Sequence, residues 1–125
     1  CMKETCPCGR GAALAACCAR YIGTGVPAPD AESLMRSRYT AFVLGDAAHL
    51  LATWHASTRP ATLELDVAVK WLGLAVKNHT LIDATHAEVE FVARSRVQGR
   101  GQRLHERSRF VREDGWWLYV DGDLN

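Results

Sequence analysis

The chain has 125 residues, 48% of them hydrophobic and 23% charged, with a formal net charge of +1. That balance fits one soluble globular domain, or a small module joined to a slightly shorter domain. It argues against a strongly basic nucleic-acid binder and a polyacidic tail, and no apolar run approaches the roughly 20 residues that span a bilayer.

Met2 reads as the natural start, and Cys1 ahead of it is left out of the argument. No charged region followed by an apolar core stands at the N-terminus, so no signal peptide is expected. The expected location is the cytoplasm, where cysteines stay reduced.

Four of the five cysteines fall within thirteen positions, "CPCGRGAALAACC", as Cys6, Cys8, Cys17 and Cys18. Bridges within C-x-C or C-C would need strained geometry, in a compartment that reduces them. Four thiolates around one tetrahedral zinc fit better, because Zn–S bonds near 2.3 Å gather ligands from a tight turn and a helix end. Pro7, Gly9 and Gly11 supply the turn, and "GAALAACCAR" reads as a short Ala-rich helix presenting Cys17 and Cys18. The first N–H groups of that helix, with Arg10, would offset part of the negative charge of the site. So short a segment buries little by itself, and structural zinc supplies on the order of 10–16 kcal/mol to hold it. With every coordination position filled by protein, the expected zinc is structural and not catalytic.

The residues Cys6, Pro7, Cys8, Gly9, Gly11, Cys17 and Cys18 resemble the SEC-C motif, the small zinc-binding tail of the SecA translocation motor and of many bacterial proteins. The resemblance implies docking to a protein or ribosome. Two departures stand out: Arg10 replaces the usual serine, and Ala12, Ala13, Leu14, Ala15 and Ala16 replace a stretch that is commonly lysine-rich. The electrostatic part of such docking is weaker without those lysines.

"TGVPAPD", Thr24 to Asp30, is a linker. Asp30 caps a helix running to about Leu44, with Gly45 as its stop. Asp46 caps a second helix, "AAHLLATWHA", and a third short helix is expected over Ala61 to Asp66. From about Val67 the texture turns to strands: "VAVKWLGLAVKN", "HAEVEFVARSRV", "RLHERSRFVRE" and "GWWLYVDG". "QGRG" and "EDGW" are the turn signals between the later ones. Helices followed by an antiparallel sheet make an α+β fold with helices on one sheet face.

"PAPDAESLMRSRYTAFVLGD", "LLATWHASTRP" and "RSRFVREDGWWLYVDGD" are similar to the bacterial YchJ family. The resemblance implies a SEC-C motif over residues 1–24 and a nuclear-transport-factor-2-like (cystatin-like) domain over 28–125, a cone of helices on a curved antiparallel sheet. It assigns no reaction. Some members carry a second cysteine motif after the domain, whereas this chain ends at Asn125.

In the second strand Ala87, Val89, Phe91 and Ala93 alternate with Glu88, Glu90, Arg94 and Arg96. A turn near Gly99 that keeps like with like pairs Ser95 with Leu104, Phe91 with Ser108 and Val89 with Phe110. Glu106 and Ser108 then face the cone beside Phe91, Phe110, Trp117 and Tyr119, and Arg107 and Arg109 fall beside Glu88 and Glu90. On the first helix Leu34, Arg38, Ala41 and Phe42 share a stripe, so Arg38 is a charge on an apolar face. Glu106 is its expected partner. The pair reads first as a structural link and second as an anchor for an anionic ligand. Trp54 and His55 close the second helix, where a histidine favours the helix dipole.

The arginines from Arg94 to Arg112 are interleaved with Glu106, and Glu88 and Glu90 precede them. With no aromatic ladder beside them, they read as a solvated sheet face and not as a nucleic-acid surface. Trp116, Leu118 and Val120 leave the outer face of the last strand apolar, which suggests a homodimer through the sheet.

The favoured functional expectation is a non-enzymatic binding or docking protein with a structural zinc at Cys6, Cys8, Cys17 and Cys18 and a small-ligand pocket in the cone. The pocket candidates are Arg38, Trp54, His55, Phe91, Glu106, Ser108, Phe110, Trp117 and Tyr119. The alternative is an isomerase or dehydratase in the cone with His55 or Glu106 as acid/base. A third reading is thiol redox or metal transfer through Cys17 and Cys18.

Overall fold

The computed structural model describes residues 6, 8, 17–22, 26–63 and 69–124, the side chain of Leu124 excepted. Two helices, α1 (Ala31–Leu44) and α2 (Ala47–Ala52), precede four strands: β1 (Val69–Asp83), β2 (His86–Val97), β3 (Arg100–Glu113) and β4 (Trp116–Leu124). The strands form one antiparallel meander in the order β1-β2-β3-β4, and α1 packs against β1, β2 and β4.

Local chemistry sets the ends of α1. The Asp30 carboxylate accepts the Ser33 N–H at 2.7 Å, and Gly45 stops the helix in the left-handed conformation at φ 76°. Asp46 starts α2 the same way, through the His49 N–H.

Helix α2 is shorter than "AAHLLATWHA" suggests. The Thr53 hydroxyl donates to the His49 carbonyl at 2.7 Å, and Thr53 and His55 then turn to the backbone of β4. Tyr119 N–H donates to Thr53 C=O at 2.8 Å, and His55 N–H to Tyr119 C=O at 2.7 Å. A strand edge thus takes the hydrogen bonds that another helical turn would have used. His55 is therefore not a helix-end residue. Ala61–Leu63 carry no helix, and the rest of the expected third helix lies outside the described residues, as do Pro7, Gly9, Arg10, Gly11 and the stretch 12–16.

Strand β1 continues past Asn78 to Asp83, because Thr80, Leu81 and Ile82 suit a strand and Asp83 closes the turn by accepting the Thr85 N–H at 2.8 Å. The β2–β3 hairpin corrects the expected register. Ser95 pairs with Gln102, Phe91 with Glu106, Val89 with Ser108 and Ala87 with Phe110. The turn is only Gln98 and Gly99, at φ 52° and 80°, the two-residue form that matches strand twist. This moves the pairing by two residues and so leaves every side chain on its expected face.

Arg107 sits opposite Glu90 and Arg109 opposite Glu88. Arg109 nevertheless turns to β4, reaching Asp121 at 2.6 Å and Asp123 at 2.7 Å, where two carboxylates compete against one.

The inner sheet face and α1 enclose Val89, Phe91, Ala93, Phe110 and Trp117. Phe110 is 1% exposed. Phe110→Ala is expected to lower the unfolding free energy by about 3–5 kcal/mol, measured as a drop in urea midpoint at constant m-value. A loss below about 1 kcal/mol would place the core elsewhere.

Candidate functional site

The Sγ atoms of Cys6, Cys8, Cys17 and Cys18 all lie within 4.8 Å of one another, and all four residues are buried. Cys8 and Cys17 are 3.6 Å apart and Cys17 and Cys18 4.0 Å, too far for a disulfide and close to the edge of about 3.8 Å in a tetrahedron of thiolates bonded at 2.3 Å. Burial and the neighbouring Cys8 and Cys6 push the Cys17 thiol up to about 11. The hydrogen bond to Cys8 and burial push Cys18 higher still. A cation at the centre of the group would favour its deprotonation. Four clustered cysteines of this kind could hold a metal ion, with no position left over for substrate.

Cys17 precedes a turn of 3-10 helix, Cys18–Arg20, and the Arg20 Nε donates to the Cys17 carbonyl at 3.1 Å. Helix α1 supplies the surroundings on the other side. The Thr40 hydroxyl lies 3.5 Å from Cys6 Sγ, and the Arg36 Nη1 donates to the Cys8 carbonyl at 2.7 Å. Both arginines would offset negative charge on the donor set once a metal ion deprotonates it, Arg36 less so because its Nε also pairs with Glu32 at 2.9 Å.

A cavity of about 150 Å³ lies between α1 and the sheet. Its lining comes from Met35, Arg38, Tyr39 and Phe42 on α1, from Trp54, and from Trp71, Phe91, Ala93, Leu104, Glu106, Ser108 and Tyr119 on the strands. Arg38 is 4% exposed. Its Nη1 donates to the Leu50 carbonyl at 2.8 Å and to Thr53 Oγ1 at 2.7 Å. Its Cζ sits 4.6 Å from the Tyr119 ring centre and 5.3 Å from that of Trp54. Burial lowers its pKa to about 10, so it stays charged at neutral pH. Burial and Glu106 push Tyr119 up to about 12, so it stays a phenol.

No ion pair joins Arg38 to Glu106. The expected partner instead accepts the Ser108 hydroxyl through Oε2 and lies over Gly122, where a Cβ would come within 2.5 Å of that oxygen. Arg38 is held through Nη1 by a helix-end carbonyl and a hydroxyl and over its plane by two aromatic faces, a set that no pattern in the sequence announces.

The YchJ middle NTF2-like domain matches residues 30–122, and the SEC-C motif matches residues 2–20. A UPF0225 protein of Polaromonas naphthalenivorans is 59% identical over 98% of this chain and 98% of its own length. The chain belongs to the YchJ (UPF0225) family. Another UPF0225 protein, from Methylibium petroleiphilum, is 61% identical over 96% of this chain and 88% of its own. Among solved structures, a SEC-C motif containing protein from Rhodopseudomonas palustris superposes with a TM-score of 0.86 at 31% identity, covering 96% of this chain and 98% of its own. One from Psychrobacter arcticus gives 0.79 at 28% identity, covering 98% and 83%. The fold is thus the NTF2-like domain with a SEC-C motif that the sequence resembled.

In this YchJ-family cone, six of the nine candidate pocket residues line the cavity: Arg38, Trp54, Phe91, Glu106, Ser108 and Tyr119. Phe110 and Trp117 are packed in the core. His55 does not line the cavity. Its Nε2 meets Glu113 at 2.9 Å and its Nδ1 meets Ser57 at 2.7 Å.

The sequence reading missed Met35, Tyr39 and Trp71, because α1 is buried nearly all round and its cavity stripe runs Met35, Arg38, Tyr39, Phe42. That i, i+3, i+4, i+7 spacing was the available signal.

His49, behind Arg38, is held at about 4 by burial and by the Arg38 charge. Its Nε2 lies 3.0 Å from Ser37 Oγ, whose proton goes to the Leu34 carbonyl, so the imidazole donates. A histidine depressed on folding stabilises above its ordinary pKa of about 6.5 and loses that stability as pH falls toward 4. Stability of the native chain is expected to drop between pH 7 and pH 5, and His49→Gln to flatten that slope. Equal slopes in denaturant titrations would contradict it.

Proposed function

We propose that the protein is a non-enzymatic binding protein in which a structural zinc fixes a docking segment on a cone that holds a small ligand. The observation that carries the reading is the cavity itself. An apolar cavity of about 150 Å³ is large enough for a benzene-sized molecule, and this one keeps an almost fully buried guanidinium in its wall.

The all-cysteine donor set supports zinc at Cys6, Cys8, Cys17 and Cys18, because soft thiolates in a closed tetrahedron suit that ion and leave it structural. The donors reach α1 through Thr40 and Arg36, so zinc would tie the SEC-C segment to the same helix that walls the cavity. Of the two residues an isomerase or dehydratase could use, His55 lies off the cavity. Glu106 is hydrogen-bonded to Ser108.

Two experiments test the parts separately. Native mass spectrometry is expected to find one zinc per chain, and Cys17→Ser to lose it while the far-UV circular dichroism of the sheet persists. A folded native chain without metal, or with iron in its place, would overturn the zinc assignment. Benzene added to the native chain is expected to shift the indole NMR signals of Trp54 and Trp71, and Ala93→Phe, which fills the cavity, to abolish the shift. Indole signals that none of benzene, 3-methylbutanoate, 2-methylpropylamine and L-valine moves would overturn the ligand-binding reading.

A further inference from the structure

Two charged groups in the cavity wall face the same space without pairing to each other. Arg38 spends both N–H groups of Nη1 on Leu50 and Thr53. Its Nε and Nη2 have no acceptor among the described residues, and those are the two nitrogens that grip a carboxylate side-on through parallel hydrogen bonds. The Tyr119 and Trp54 rings and the Leu50 carbonyl hold the guanidinium plane in place, so little is lost in ordering it when a ligand arrives. Glu106 is the complement. Its Oε2 takes the Ser108 hydroxyl, and among the described residues its Oε1 has no donor and no cation makes an ion pair with it, although Arg38 is near enough to feel its charge.

The cavity is also divided along the sheet. The β4 side carries Arg38, Glu106, Ser108 and Tyr119, while the β1 side is walled by Tyr39, Phe42 and Trp71. Tyr39 meets Trp71 edge to face at 5.7 Å, and Phe42 lies 5.6 Å from it.

On the reading that the cone binds a small ligand, we infer that this ligand is an apolar α-amino acid held as its zwitterion. Its carboxylate lies on Arg38 Nε and Nη2, its ammonium on Glu106, and its side chain among Tyr39, Phe42 and Trp71. Charge balance selects this class. A plain carboxylate would satisfy Arg38 and leave Glu106 facing a second anion, and a plain amine would do the reverse. A hydrocarbon would cover both charges without pairing either. A zwitterion pairs both and adds no net charge to a poorly solvated site. The size narrows the class: Arg38 and Glu106 line the same cavity of about 150 Å³ as the aromatic wall, a volume that takes a benzene-sized molecule, so head and side chain together must be small, as in a valine-like amino acid with its head toward β4.

The test is a calorimetric and NMR titration of the native chain with L-valine, 3-methylbutanoate (no amine), 2-methylpropylamine (no carboxylate) and benzene. L-valine is expected to bind at least about tenfold tighter than either singly charged analogue, the factor set by one further charged hydrogen bond. Glu106→Gln keeps the shape of the wall. It is expected to bring L-valine down to the affinity of 3-methylbutanoate while benzene binding is unchanged. If either singly charged analogue matches L-valine, or benzene alone binds, the zwitterion assignment is overturned and the cavity reading stands. If none of the four binds, both fall.

Discussion

Helix α1 is enclosed over most of its surface, and nine of its fourteen residues are buried. Several of those are polar, and a buried polar group must find a partner or cost the fold one to several kcal/mol. Meeting that demand organises the molecule. Thr40 reaches the Cys6 sulfur and half-buried Arg36 the Cys8 carbonyl. Ser37 takes His49 of α2, and Arg38 takes Leu50 and Thr53. Its apolar face, Met35, Tyr39 and Phe42, is left for the sheet and the cavity. One helix therefore connects the thiolate cluster, the second helix and the cone.

The same demand explains what the sequence revealed and what it concealed. Asp30, Gly45 and Asp46 act within a few residues of themselves, so the starts of both helices and the stop of the first were legible. Alternation in β2 and β3 fixed which side chains face inward. The pairing partner was less accessible, since a two-residue turn and a four-residue turn preserve the same faces and differ only in backbone geometry at Gln98 and Gly99. The early end of α2 was concealed because it depends on β4, over sixty residues away, offering the Tyr119 backbone to Thr53 and His55.

Arg38 shows the limit most clearly. A charge on an apolar stripe was visible, and so was a carboxylate on the inner sheet face. Joining them was a reasonable expectation, and it failed because a guanidinium can be held in place without a carboxylate. A free carbonyl at the end of a short helix, a threonine hydroxyl and two ring faces do the work in part. They leave Nε and Nη2 over, so the failed pairing is also what gives the cavity its polar end. The cysteine cluster was legible for the opposite reason: spacing of cysteines along thirteen residues is local information, and the surrounding Thr40 and Arg36 contacts add to it without altering it.

The proposed four-thiolate zinc would anchor the SEC-C segment to α1, and zinc K-edge X-ray absorption on freshly purified protein tests it most directly. Four sulfur neighbours at about 2.3 Å are predicted. A shell containing nitrogen or oxygen ligands, or protein that carries no zinc edge at all, would contradict it.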